Sequence, residues 1–358
     1  MNRTRQIILW VVAALIVIVG LAAVSVWAIT FHPPLEQAET VRCEAETPTL
    51  QPGQRLKVLT YNVQYMTGKN YFFFYEGGSD ERPSAGDIRR TFDEIAGIIR
   101  EEEPDVVLLQ ELDDGSKRTD YQDQLARLLE LLPDDYRCHV SAYYWQADFV
   151  PHPQIWGPIG HKLSIVSRYR IDQATRYQLP LASADPLTRQ FSPKRAILEA
   201  RLPVSGAPDF FILTTHLEVS NRGAEVMQRQ TSRVAEHLAG LSRAGSSWLI
   251  GGDFNLLPPG QFSRLREDQR SSFRPETELR VLFENYRSLP DPADLNGSDE
   301  AQGFTFFPND PVLQAPDRTL DYFFFSDDLA VISGYVRDDE RALTASDHLP
   351  VIAEITIP

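Results

Sequence analysis

Cysteine is almost absent from this chain. Cys43 and Cys138 are the only two among 358 residues, which excludes a disulfide framework and a thiolate zinc cluster. Glycine and proline, at 20 and 25, are too few for a collagen-like or low-complexity chain, and no internal repeat interrupts the pattern. Positive charge is also in deficit. Lys and Arg number 35 against 50 Asp and Glu, a formal −15. The first 31 residues hold just Arg3 and Arg5, so the remainder carries 33 against 50, a formal −17. Proteins that live by binding phosphate backbones usually present a net basic surface, so nucleic acid could be held here only through a local patch. With 42% apolar residues the chain can bury a large core without staples.

What is present begins with a hydrophobic run. Ile7 to Phe31 spans 25 residues with no charge, enough for a helix to cross a hydrocarbon core of about 30 Å. A core helix would show a polar stripe, and this run shows none. A cleaved signal peptide is the competing reading, with Val26-Trp27-Ala28 imitating a cleavage site. An uncleaved anchor is favoured, because signal h-regions usually span about 7–15 residues. Arg3 and Arg5 precede the span and Glu36 and Glu39 follow it. The positive-inside bias then places residues 1–6 in the cytoplasm and the rest outside, on the periplasmic side of the inner membrane if the source is bacterial. Residues 32–55, broken by Pro33, Pro34, Pro48, Pro52 and Gly53, read as an extracytoplasmic linker without regular structure. Outside the cytoplasm Cys43 could pair with Cys138 and pin this tether; two unpaired thiols are the alternative.

From Leu56 to Pro358 short β-rich runs alternate with helical patterns. Strands are expected at 56–63, 105–112, 136–144, 163–169, 194–202, 210–216, 247–251, 319–325, 330–336 and 350–357. Ile88, Phe92, Ile95 and Ile99 share one face of a helix over 88–100, and 121–132 and 224–241 behave similarly. Ten or more strands with few helices predict an α/β sandwich, two packed sheets with helices outside.

Polar residues cluster at the strand ends: Asn62, Gln110-Glu111, Thr215-His216, Asp253-Phe254-Asn255, Asp321 and Asp347-His348. Each apolar run delivers a carboxylate, amide or imidazole at its edge, a rigid platform for a site. Alone, each has a bland reading: Asn62 as a turn former, Glu111 as a solvated strand end. Asp321 within an aromatic strand is harder to dismiss, since an unpaired buried carboxylate costs several kcal/mol. Hard oxygen donors without cysteine suit Mg²⁺ or Mn²⁺, and a His beside an acid suits activation of water. The combination points to metal-assisted hydrolysis of a phosphate ester.

Six segments occur in one order: LTYNVQ (59–64), LLQEL (108–112), TTHLEV (214–219), GGDFN (251–255), RTLDYFF (318–324) and SDHLPV (346–351). Together they resemble the endonuclease/exonuclease/phosphatase superfamily, which includes DNase I, abasic-site endonucleases, neutral sphingomyelinases and inositol-polyphosphate 5-phosphatases. The resemblance covers 56–358 and implies a DNase I-like four-layer α/β sandwich of two mixed sheets, here preceded by one transmembrane helix. It implies that Glu111 is the principal metal ligand, with Asn62 beside it and Asp347 completing the environment of a Mg²⁺ or Mn²⁺ ion. Asp253 and Asn255 would position or activate water and hold phosphate. His216 would stabilise the pentacoordinate phosphorus, and His348 would be base or electrostatic partner, oriented by Asp321. Arg195 would contact phosphate. Gln64 replaces an Asp found in several nucleases of the family, and His161-Lys162 replace a small residue. His161 could touch substrate or sit in a loop, and the loop is favoured; His32, His139, His152 and His237 are read as surface or structural.

The implied activity is hydrolysis of a phosphate ester by a membrane-tethered enzyme, with a lipid or small phosphodiester as substrate. Extracytoplasmic cleavage of DNA or RNA is one alternative, and a catalytically silent anchored binding domain another. Two aromatic stretches, Tyr71 to Tyr75 and Tyr143 to Trp156, are expected in loops, as core packing or as an apolar rim that meets the bilayer. Oligomeric state is not legible from the sequence.

Overall fold

The computed structural model describes residues 3–73, 78–182, 185–219, 224–296, 300–310 and 312–358. Phe74 and Tyr75 of the first aromatic stretch, and Met1 and Asn2 ahead of the apolar run, lie outside the described residues.

The apolar run forms a helix over Arg3–Ala28, long and apolar enough to cross a membrane and without a buried residue. It stops three residues before the end of the run. There Thr30 leaves the helix to pair with Ala147, and Asp148 N donates to Ile29 O at 2.9 Å.

Fourteen strands are described. In chain order they are β1 (Glu36–Ala38), β2 (Arg42–Cys43), β3 (Arg55–Asn62), β4 (Val106–Asp113), β5 (Cys138–Val150), β6 (Gly157–Ser167) and β7 (Gln173–Gln178). There follow β8 (Ala196–Leu202), β9 (Phe210–His216), β10 (Ser247–Asp253), β11 (Arg287–Leu289), β12 (Asp321–Phe325), β13 (Ala330–Val336) and β14 (Val351–Thr356). They make two seven-stranded sheets, ordered β13-β14-β3-β4-β6-β5-β2 and β1-β7-β8-β9-β10-β12-β11. Both are mixed: β3–β4 and β9–β10 run parallel, the other pairs antiparallel.

Period-two alternation sorts the side chains between two cores. In β12, Phe323 and Phe325 join the core shared with the first sheet, whereas Tyr322 and Phe324 join the outer one. In β10, Leu249 faces in and Trp248 and Ile250 face out. The outer face is covered by helix Ala224–Arg243, whose Met227, Val234 and Leu238 complete that core. The first sheet is covered by helix Ala85–Glu102 through Ile88, Phe92, Ile95 and Ile99. That helix starts where the Ser84 hydroxyl accepts from Asp87 N, an N-cap. Helix, sheet, sheet and helix give the four-layer sandwich expected from sequence. Gly251 is required where the sheets come closest: a Cβ there would strike Phe323 and Leu108, one from each sheet.

Three local expectations are corrected. Residues 32–55 are not wholly irregular: β1 edges one sheet, β2 edges the other, and Cys43 is disulfide-bonded to Cys138. Sequence reading missed these pieces because two- and three-residue edge strands carry no measurable period. The second aromatic stretch is not a loop up to Val150, since β5 runs through Tyr143, Tyr144 and Trp145. Polar Gln146 and Asp148 look like a break but occupy positions of an irregular antiparallel ladder with β6. His161 sits on β6 and is fully buried.

The disulfide closes a 95-residue loop. Cys43→Ser is expected to lower unfolding free energy by about 2–4 kcal/mol, read as an earlier denaturant midpoint for the oxidised protein. An unchanged midpoint would show that the segment is not restrained by the bond.

Candidate active site

The site lies where the space between the sheets opens to solvent. Following the inward positions of β10 outward gives Leu249, Gly251, Asp253; of β12, Phe325, Phe323, Asp321; of β9, Ile212, Thr214, His216. Pairing aligns the last members, with His216 beside Asp253 and Asp253 beside Asp321. The core thus ends in a row of three polar side chains on neighbouring strands. Below them a hydrogen-bonded layer crosses the sheets: Gln110 Nε2 donates to Thr60 Oγ1 at 3.1 Å and Thr214 Oγ1 at 2.9 Å.

The first sheet supplies the facing wall. Asn62 ends β3 and is buried; its Nδ2 donates to Asp253 Oδ2 at 3.1 Å, and its Oδ1 accepts from Gln64 N at 3.1 Å. The Asn62 Oδ1 keeps a second lone pair, the one open to the ligand role expected of it. Glu111 follows inward-facing Gln110 and would point away in an unbroken strand. Instead the β4–β6 ladder shifts register between Leu109 and Leu112, and Glu111 takes φ +60°. That left-handed conformation, costing on the order of 1–3 kcal/mol in a non-glycine residue, turns its carboxylate into the cleft. Asn255, at φ +53°, is the second such case; its amide nitrogen donates to Asp253 Oδ1 at 2.8 Å.

His348, just ahead of β14, closes the ring of groups. Its Nδ1 meets Asp321 Oδ2 at 2.7 Å, and its Nε2 faces Asp253 Oδ2 at 3.6 Å. His216 Nε2 lies 3.3 Å from the same Asp253 oxygen, and its Nδ1 lies 3.8 Å from Glu111 Oε1. Ser346 Oγ donates to Asn62 O at 2.8 Å, tying the His348 loop to β3.

A cleft of about 570 Å³ receives Glu111, Arg195, His216, Asp253, Asn255, Asp347 and His348. Asn62 and Asp321 stand behind that surface, each bonded to a residue that lines it. All nine residues singled out from sequence therefore meet around one hollow. Tyr144 and Trp145, from the second aromatic stretch, also line the wall, and so do Tyr65, Phe306 and Arg318, which sequence reading did not assign to the site. Tyr65 gets there through a left-handed turn, with Gln64, Tyr65 and Met66 all at positive φ, which no local residue pattern announces. His161, expected in a loop, faces the cleft sandwiched against Trp145 at 5.0 Å.

Electrostatics fit a cation. Burial raises the Glu111 carboxyl from 4.5 to about 7, and the Asp347 charge adds to it. Asp253 and Asp347 are likewise raised, first by burial. Burial pulls His348 down, but the Asp321 and Asp253 carboxylates outweigh it and hold the imidazole well above its usual range. His216 is held well below, by burial and then by Arg195 and His348, so it is neutral near pH 7. Hard carboxylate donors that resist being ionised together are the donor set a divalent ion relieves. Asp253, Asp321 and His348 offer donor atoms within 4.8 Å of one another, one possible seat. In that trio the Asp321–His348 bond occupies an atom of each partner, which leaves Glu111 and Asp347 the more available oxygens. Arg195, buried and 3.6 Å from Glu218, has Nε and Nη1 without a hydrogen-bond partner at the cleft wall, a fit for an anion.

A sandwich of two mixed sheets with an acid–histidine cluster at the mouth of the inter-sheet space defines the structural class. The model of the Endonuclease/Exonuclease/phosphatase family matches residues 59–348, and the chain belongs to that family. Among solved structures it resembles an endonuclease/exonuclease/phosphatase from Beutenbergia cavernae (24% identity, TM-score 0.60, covering 85% of this chain and 72% of that one). It also resembles a family protein from Leptotrichia buccalis (16%, TM-score 0.55, 84% and 100%). The human Nocturnin catalytic domain is a third (17%, TM-score 0.52, 89% and 98%). No curated protein matches the sequence.

The raised Glu111 carboxyl gives a pH prediction. The unfolded chain has the ordinary 4.5 and the folded one about 7, so the folded state binds the extra proton between them. This group's favourable contribution is full below the lower value and is lost as pH rises through the upper one. A divalent ion that takes the proton's place should therefore raise the melting temperature more at about pH 8 than at about pH 5. Equal shifts at both would remove Glu111 from the ion's seat.

Proposed function

We propose that this chain is a membrane-tethered, divalent-metal-dependent hydrolase of phosphate esters, acting on a small or lipid-borne phosphodiester outside the cytoplasm. The observation that carries it is the convergence of the Asp321–His348 pair, Asp253, His216 and Glu111 on one cleft that also offers the unpartnered Arg195 guanidinium nitrogens.

Mg²⁺ or Mn²⁺, held by Glu111 and Asp347, would polarise the phosphoryl group and neutralise charge on the leaving oxygen. The protein's residues do the rest. Arg195 binds a non-bridging oxygen and Asn255 helps to place the phosphate. Asp253, kept in register by Asn62 Nδ2 and the Asn255 amide, orients the attacking water. The water oxygen bonds to phosphorus, its proton passes to the Asp253–His348 pair, and the P–O bond to the leaving group breaks. The leaving oxygen takes a proton from solvent water, and the Asp253–His348 pair returns the abstracted proton to solvent. His216, neutral, offers a hydrogen bond to the oxygen on which charge grows. Asp321 orients His348 and stabilises its imidazolium.

The cleft's charge favours a small ester over a nucleic acid strand. Among the described residues its arginines are Arg195 and Arg318, each beside an acid, Glu218 and Asp317. Asp268 and Asp310 also line the hollow, and a polyanion would be repelled there. Rings of Tyr65, Tyr144, Trp145, Phe273 and Phe306 give the rest of the wall. The Cys43–Cys138 bond suits an oxidising compartment, in keeping with the orientation set by Arg3 and Arg5.

His348→Ala is expected to lower kcat on bis(p-nitrophenyl) phosphate with Mg²⁺ by about 100-fold or more while circular dichroism is unchanged, and EDTA should abolish turnover. Near-normal turnover would take His348 out of the reaction. A periplasmic reporter fused after Pro358 should be active; a signal confined to the cytoplasm would reverse the topology.

A further inference from the structure

The chain leaves its apolar helix directly into the catalytic domain. Ile29 O accepts from Asp148 N, and Thr30 pairs with Ala147, both on β5. The Phe31 ring centroid lies 6.5 Å from that of Tyr143, and the Arg176 guanidinium lies 5.5 Å from the Phe31 centroid. Leu35 O accepts from Gln178 N at 2.8 Å, β1 then pairs with β7, and Cys43 is bonded to Cys138 on β5. No free linker separates bilayer from domain, so the surface next to Thr30 sits at the membrane interface.

That surface has the composition of an interfacial one. The β5–β6 tip carries Trp156, 59% exposed, against Phe149 at 5.2 Å. A small apolar cluster of Ala147, Val150, Ile159 and Phe191 joins this tip to helix Pro186–Phe191, which exposes Leu187 at 60%. Lys194 Nζ holds that helix's last carbonyls and lines, with Phe31, Leu35, Arg229 and Arg233, a cavity of about 470 Å³ beside the helix end. Aromatic rings and arginines gather here on a chain whose formal charge is −15. An anionic bilayer repels most of such a protein and attracts this face.

We infer that the domain docks on the bilayer through the β5–β6 tip and helix Pro186–Phe191, presenting the cleft to the phosphate layer of the lipids. Tyr144 and Trp145 of the cleft wall lie three and two residues before Ala147 on the same strand, within about 10 Å of the Thr30 bridge at the strand rise. The substrate class is therefore a phosphodiester carried by a lipid headgroup, and this half of the inference rests on the hydrolase reading above.

The test uses the full chain in nanodiscs containing phosphatidylglycerol. Hydrogen exchange over 151–156 and 186–191 should be slowed about tenfold or more relative to the detergent-solubilised chain, and the Trp156→Asp/Leu187→Asp double variant should lose that protection. The same variant should cleave a vesicle-borne lipid phosphodiester at least about tenfold more slowly while turning over bis(p-nitrophenyl) phosphate normally. A second variant, with a flexible Gly-Ser segment inserted after Ala28, leaves the domain sequence intact and should show the same split. Exchange that is identical in nanodiscs and detergent overturns the docking. Protection lost in the variant with no change in lipid turnover overturns the substrate class. Protection retained by a wild-type chain inactive on both substrates supports the docking and sinks the hydrolase reading instead.

Discussion

Four carboxylates, Glu111, Asp253, Asp321 and Asp347, are brought out of bulk water within one hollow, and that crowding governs the rest of the site. Burial, first among the causes, raises three of them, and neighbouring carboxylates add to it at Glu111 and Asp253. The fold answers with specific partners: a histidine on Asp321, an amide and a backbone N–H on Asp253, a serine hydroxyl on Asp347. What these partners leave unbalanced is a net negative charge open to the cleft, and a divalent cation is the simplest group that settles it. The same excess is the electrostatic ground for the small phosphodiester proposed as substrate.

The sheets exist, from the site's point of view, to make this crowding geometrically unavoidable. Alternation carries the inward rows of β9, β10 and β12 from apolar core to an acid or histidine at the mouth, with Thr214 of β9 joining Gln110 and Thr60 in a hydrogen-bonded layer below. No single strand needs to be special until the last residue. The exceptions are Glu111 and Asn255, whose left-handed backbones aim side chains that a regular strand or turn would send elsewhere. Left-handed backbone is thus placed where a side chain must be aimed into the cleft, at Glu111 and Asn255 and in the Gln64–Met66 turn that brings in Tyr65.

The anchor adds a second constraint. A helix for the bilayer followed by a loose tether would let the domain tumble; here β1, the Thr30–Ala147 bridge and the disulfide fix the exit of the helix to both sheets. With the helix in a bilayer, as proposed, local concentration at a surface would be accompanied by orientation, which a flexible link cannot supply. The cost falls on β5, flanked by β6 and the two-residue edge strand β2, whose 13 residues hold the anchor segment, the disulfide and part of the cleft wall at once.

Much of this was legible in residue order. Apolar runs ending in Asn62, His216, Asp253 and Asp321 specified strands and site together, because a period of two and a buried polar terminus are local properties. The apolar helix was legible for the same reason, since twenty-odd uncharged residues need no partner to declare themselves. Tertiary structure alone decided that these ends meet, that Glu111 turns inward through a register shift, and that Tyr65, Trp145 and His161 share their hollow. It also decided that β1 and β2 bind the supposed tether to the domain. Each of these depends on contacts between residues far apart in the chain, whose energy appears only once two sheets have packed and water has left the space between them.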